Sequence, residues 1–183
     1  MTSFEDFRAR AAACTATGGL VPVWRDCLLD LCTPVSAFAK LRRGPFAFLL
    51  ESAVTRGQAW SRYTYLGTEP RGAWRLKDGI VHDWSAEQGW HGARSPQDPL
   101  GDLRDIVRAM NPVSAPELGE LWSGAFGFFS YDTVRHIEHL PRAPRRAFEY
   151  PDACFVFTDA LVVIDNWRGQ ARVIVSVPVP AGA

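Results

Sequence analysis

An Asp-Gly pair at positions 78 and 79 stands between two short strand-forming runs, 73–76 and 80–84. A two-residue link of this kind is a type I′ hairpin signal, because both of its central residues take a positive φ that Gly adopts freely and Asp tolerates. The two runs are therefore expected to return antiparallel to each other. The same logic applies at 166–169, where Asn-Trp-Arg-Gly separates the apolar runs 161–164 and 171–177. Further β-branched or aromatic runs at 20–26, 46–50, 60–66 and 154–157 add strands. Residues 46–50 are apolar at every position, which predicts a strand central to its sheet.

Helices are few. Thr2 with Glu5 reads as a capping box ahead of Phe4, Phe7, Ala11 and Cys14 at helical spacing, with Gly18 and Gly19 as the stop. Thr33 and Pro34 supply an N-cap and a first-turn proline for a short helix through Leu41. Asp98 and Pro99 do the same for a helix whose apolar side is Leu100, Leu103, Ile106, Val107 and Met110. Residues 85–97 read as a polar surface loop, 131–138 as one or two helical turns, and 141–146 as a basic, proline-rich loop. Hairpins set among a few helices, without regular strand–helix alternation, predict an α+β fold of mostly antiparallel sheet. With 183 residues and no repeat or linker, a single domain over 1–183 is expected, long enough to bury about 70% of its unfolded surface.

Composition removes several functions. Twenty basic residues balance twenty acidic ones, which argues against a nucleic-acid binder or a polybasic membrane surface. No apolar stretch has the length of a membrane span or signal peptide. Cys14, Cys27, Cys32 and Cys154 form no CxxC pair and read as reduced, free thiols, which fits a cytoplasmic location.

The chemical motifs are sparse. His136 and His139 flank Glu138 at i, i+3, which is not the spacing of a zinc-binding helix, so a solvated helix end is expected and no metal site. Gly124 and Gly127 lie among Phe126, Phe128 and Phe129, where glycine marks a bulge or a close approach of backbones rather than a phosphate cradle. Trp74, Trp84 and Trp90 beside the hairpin suit cross-strand packing, with a carbohydrate-stacking platform as the other reading. Arg142, Arg145 and Arg146 read as a solvated surface open to an acidic partner. Glu51 and Ser52 end one strand and Arg62 lies ten residues on in the next. If the strands pair, the three form either a site for a zwitterion, with Glu51 on the ammonium and Ser52 and Arg62 on the carboxylate, or a Glu–Arg ion pair capping the sheet.

Several phrases occur in a particular order: TPVSAFAKL at 33–41, FAFLLES at 46–52, RYTYLG at 62–67 with Pro70, and GAFGFFSYD at 124–132. They are followed by Arg135, Glu138, Leu140, Pro141, residues 151–153 and the run 161–165. From about Leu20 onward this string resembles the N-terminal domain of anthranilate synthase component I, and more broadly the chorismate-utilising enzymes that include aminodeoxychorismate synthase component I. The resemblance implies an α+β domain that precedes a larger chorismate-binding domain holding the catalytic residues and magnesium. It places no catalytic residue and no cofactor in this chain.

It further implies an allosteric tryptophan site to which Leu50, Glu51 and Ser52 belong, with Pro34 near the indole and Arg62 as a basic side chain. The LLES phrase favours the anthranilate enzyme over the folate-pathway aminodeoxychorismate enzyme. Expected partners are the chorismate-binding C-terminal domain, a glutamine amidotransferase subunit, tryptophan as effector, and a second copy in a homodimer. The remaining alternative is a standalone, non-catalytic small-molecule-binding or interaction module.

Overall fold

The computed structural model describes residues 1–51, 62–119, 121–141 and 149–182. The strands are β1 (Gly19–Leu28), β2 (Ala47–Glu51), β3 (Tyr63–Thr68), β4 (Gly72–Lys77), β5 (Ile80–Ser85), β6 (Gly89–Arg94), β7 (Ala125–Phe129), β8 (Ala153–Phe157), β9 (Ala160–Asp165) and β10 (Gln170–Val179). The helices are α1 (Phe4–Cys14), α2 (Pro34–Leu41) and α3 (Pro99–Ala109), with 3₁₀ turns at Pro116–Leu118 and Tyr131–His136. The strands form two five-stranded sheets, sheet 1 in the order β1-β10-β9-β3-β2 and sheet 2 in the order β6-β5-β4-β8-β7. Every pairing between them is antiparallel, as the α+β reading requires.

Contacts divide the chain into two compact units. One is Met1–Pro70, Met110–Gly124 and Thr158–Ala183, built on sheet 1; the other is Arg71–Ala109 and Ala125–Phe157, built on sheet 2. In sheet 1, β10 runs between β1 and β9, so residues near the two ends of the chain lie side by side, from Gly19 opposite Val179 to Leu28 opposite Gln170. Antiparallel partners share a face, so Trp24, Ile174, Val163 and Leu20 point one way. That face is covered by Met110, Val113, Ala115, Leu118 and Trp122. The opposite face carries Leu49, Leu66, Val162, Ile164 and Ala171, which pack against Ala37 and Phe38 of α2. α2 starts as expected, with the Ser36 amide donating to Thr33 Oγ1 at 3.1 Å and Pro34 in its first turn.

Sheet 2 is held to α3 by one guanidinium. Arg94 of β6 donates to Asp83 of β5, and its Nη2 and Nε donate to the two carboxylate oxygens of Asp102 in α3 at 2.7 and 3.0 Å. Asp102 Oδ2 also accepts the indole N–H of Trp74, a fully buried residue of β4, at 2.7 Å. Four elements thus meet at one carboxylate–guanidinium cluster. Arg94 holds the Asp102 carboxyl below the usual carboxylate range.

Several expectations are corrected. β2 is apolar along its length yet lies at the end of the strand order, not in the centre; one of its faces meets α2 through Leu49, while Leu50 is 47% exposed. The capping box of α1 is Ser3 with Asp6, one residue later than Thr2 and Glu5, because the Thr2 hydroxyl instead accepts from the Trp24 amide at 2.9 Å. Residues 85–97 are not all loop: Gly89–Arg94 is a strand paired with β5, with Trp90 opposite Trp84. Positions 60 and 61 of the expected strand 60–66 fall outside the described residues, and β3 runs on to Thr68. The Asp78-Gly79 turn has φ of 54° and 74°, as a type I′ hairpin needs. At Gly127 a Cβ would sit 2.0 Å from the Cys154 carbonyl oxygen, so close backbone packing is the reason for that glycine.

Two outcomes follow. Asp102→Ala leaves a buried indole N–H without its acceptor and is expected to cost about 2 kcal/mol in urea unfolding. Because the folded-state pKa of Asp102 is depressed, its contribution is complete above the unfolded value of about 4 and is lost as pH falls through the lower folded value. The stability gap between the native chain and Asp102→Asn should therefore shrink on acidification from pH 5 to about pH 2.

Candidate functional site

The β2–β3 pairing on which the zwitterion reading depends is present: Leu50 is opposite Tyr65 and Glu51 is opposite Thr64. The period of two in a strand then sends neighbours apart. Leu50 shares its face with Tyr65 and Val163, and Glu51 shares the other with Leu49 and Leu66, on the side covered by α2. Pro34 opens α2 and so belongs with the Glu51 side. Ser52 lies outside the described residues.

Arg62 precedes β3 and is engaged by a carboxylate that the sequence did not single out. Its Nη2 and Nε donate to Asp165 Oδ2 at 2.5 and 3.0 Å. Asp165 is the register partner of Tyr63, at the end of β9. The guanidinium carbon lies 4.9 Å from the Tyr63 ring centroid and 5.4 Å from that of Trp167, so both rings offer it a π face. The Trp167 amide donates to Asp165 Oδ1 at 3.1 Å, which ties the β9–β10 turn into the same cluster. Arg62 draws the Asp165 carboxyl below its ordinary pKa, and Asp165 raises that of Arg62. Asp165 was missed because nothing in local spacing links it to Arg62; only the β3–β9 pairing does.

This cluster forms one wall of a cavity of about 710 Å³ on sheet 1. Tyr63, Tyr65 and Val163 of the sheet and Leu118 of the 3₁₀ turn line it, with Arg172 on the far side. Arg172 is fixed by its register partner Asp26, with Nε and Nη2 donating at 2.5 and 3.0 Å, and by the Glu117 carbonyl oxygen at 2.7 Å. Arg168 and Glu117 also line it, so its charged lining is three basic residues (Arg62, Arg168 and Arg172) and three acidic ones (Asp26, Glu117 and Asp165).

The other motifs resolve as structure. Of the three tryptophans by the hairpin, Trp74 is buried at 0% exposure, and Trp84 and Trp90 are cross-strand partners in β5 and β6. His136 lies with its Nε2 3.9 Å from Asp152 Oδ2. Among the described residues no group of three or more His, Cys, Asp or Glu could hold a metal ion. No described helix is long and apolar enough to cross a membrane. Most of the basic stretch 141–146 lies outside the described residues.

The chain is 34% identical over 171 residues to anthranilate synthase component 1 of Arthrobacter globiformis, covering 93% of this chain and 31% of that protein. It is 36% identical over 174 residues to anthranilate synthase component 1 of Mycolicibacterium smegmatis, covering 94% of this chain and 32% of that one. The chain thus spans about a third of the length of the curated relatives it matches. A crystal structure of anthranilate synthase component I from Streptococcus pneumoniae aligns over 79% of this chain and 30% of that chain, with a TM-score of 0.48 at 22% identity. No family model matches.

Replacing Asp165 with Asn should leave Arg62 with one neutral acceptor and lower stability slightly at pH 7. Since the folded-state pKa of Asp165 is depressed, that difference should vanish as pH falls from about 4 through the folded value, a trend that urea midpoints measured at several pH values will check.

Proposed function

We propose that this chain, a homologue over nearly its whole length of about a third of anthranilate synthase component I, is the N-terminal, tryptophan-sensing part of such an enzyme. The observation that carries the reading is the extent of the match, 93–94% of the chain at 34–36% identity to proteins of that one name. The shared name also favours the anthranilate enzyme over the aminodeoxychorismate enzyme. In the complete enzyme the reaction takes chorismate, with ammonia released from glutamine by an amidotransferase subunit, to anthranilate and pyruvate. The chemistry and its magnesium belong to a chorismate-binding part, and the chain alone is inactive.

In this reading Leu50, Glu51, Ser52, Pro34 and Arg62 contribute to an effector site that the chorismate-binding part completes. The geometry supports it to this extent: Leu50 lies on the face that carries the cavity, beside Tyr65, and Arg62 stands in the cavity wall. Tryptophan bound there would favour one placement of the two parts over another, and chorismate affinity would fall by the difference in tryptophan's affinity for the two. The enzyme works in a reducing cytoplasm, with the four cysteines of this chain as the free thiols they are in the structure.

An assay that follows anthranilate fluorescence with chorismate, magnesium and ammonia tests the proposal. The chain alone should be inactive. Mixed with a separately expressed chorismate-binding part, it should support activity that tryptophan lowers, and Ser52→Phe should abolish that inhibition while leaving activity within about twofold. Turnover by the chain alone, or inhibition indifferent to Ser52, would overturn the reading.

A further inference from the structure

Arg62, Arg94 and Arg172 each hold a carboxylate. Arg75, in the middle of β4, holds none: among the described residues its guanidinium has no hydrogen bond and no ion pair. The alternation of β4 sends Trp74 and Leu76 to the side where Asp102 of α3 takes the Trp74 indole, and Arg75 to the other. There its register partners are His82 of β5 and Cys154 of β8. Neighbouring strands lie about 4.8 Å apart, so the Arg75 side chain spans β5 to lay its guanidinium carbon 4.2 Å from the centroid of the Trp90 ring on β6. Arg75 Nε and His82 Nδ1 are buried without a partner, while the terminal nitrogens of Arg75 are open to solvent. The guanidinium charge also opposes the rise that burial imposes on the Cys154 thiol. Adjoining polar groups left unsatisfied on one sheet face are rare in native folds, because a further acceptor or donor would lower the free energy of both.

We propose that Arg75, held flat on Trp90, anchors an oxyanion site on sheet 2: a carboxylate or phosphate group accepts from its Nη1 and Nη2, with His82 beside it as a second polar contact. A guanidinium stacked on an indole is a fixed planar fork, so little freedom is lost when two oxygens dock on it, and the spacing of its two terminal nitrogens matches either group. The charge is not spent within the sheet. Lys77, one step along the same face, is paired with Glu149 at 2.5 Å, and Asp152, one step from Cys154, accepts from the Asp78 amide at 3.2 Å. All of these residues belong to the unit built on sheet 2, so the site shares none of them with the cavity of sheet 1 and does not rest on the effector reading.

The test is a titration of the ¹⁵N-labelled chain with sodium phosphate and with sodium acetate, each to about 50 mM at constant ionic strength set by sodium chloride, followed by backbone amide shifts. At least one probe should move the amides of Arg75, His82, Trp90 and Cys154 to saturation. Arg75→Gln should weaken that binding at least tenfold, and Trp90→Leu, which keeps the guanidinium but removes its platform, at least threefold. Arg104→Gln, on α3, should leave it unchanged. Should Arg75→Gln lose its dispersed spectrum, Arg75→Lys serves in its place: it keeps the charge, loses the fork, and should bind at least threefold more weakly. Saturation with phosphate alone assigns the site to a phosphate group, with acetate alone to a carboxylate, and with both to oxyanions in general. Amides that stay still with both probes, that move equally with chloride, or that respond with an affinity indifferent to the Arg75 variants overturn the proposal. The assay of tryptophan inhibition reads sheet 1 and is unaffected by any of these outcomes.

Discussion

The backbone pairing of β10 on both of its sides is the interaction from which the rest of sheet 1 follows. Against β1 it sets Arg172 opposite Asp26, and against β9 it sets Gln170 opposite Asp165. β9 in turn carries Asp165 to Tyr63 and so to Arg62. Each ion pair in the cavity wall is therefore the consequence of a register, Arg172–Asp26 of β1 against β10 and Arg62–Asp165 of β3 against β9. A slip by a single residue in either register would turn its side chains to the opposite face and dismantle that pair. The pairs add little energy by themselves, being partly exposed; their role is to hold the two guanidiniums in place on a surface that hydrogen-bonded backbone has already fixed.

Strand alternation explains what was legible in the LLES phrase and what was not. The phrase announces a strand, and the strand is there. Its pairing with β3 also follows from the closeness of the two runs in sequence. What local pattern does not convey is that Leu50 and Glu51 point to opposite faces whose covers come from distant parts of the chain: residues 110–122 on one side and α2 on the other. β2 was misjudged as central for the same reason. An all-apolar run signals cover on both faces in a parallel sheet, but an end strand reached by a helix on one side meets the same description with Leu50 left half open.

Turn chemistry and caps were readable because their physics is local. Asp78-Gly79, Thr33-Pro34 and Asp98-Pro99 all act as the sequence suggests, the last with the Gly101 amide on Asp98 Oδ1 at 2.8 Å. β6 was missed because Gly89 and Gly92 imitate a loop, with φ of 65° and 63°, and the register against β5 shifts between Val81 and Asp83. The strand is anchored by Arg94, whose partners Asp83 and Asp102 sit 11 and 8 residues away and on different elements. No window of local periodicity could have joined them.

The place of β10 also bears on how the chain is made. β1 leaves the ribosome well before its hydrogen-bonding partner, the strand that ends at Val179. β3 and β9 are likewise separated by about a hundred intervening residues, as the Thr64–Ile164 pair records. Sheet 2, bounded by residues 71 and 157, has all of its strands in hand sooner. During synthesis the unit built on sheet 2 can close first, while β1 waits with its edge open for a strand not yet translated. Sheet 1, with its more distant pairings, is the slower of the two to form and the part of the nascent chain most in need of protection from pairing with another copy.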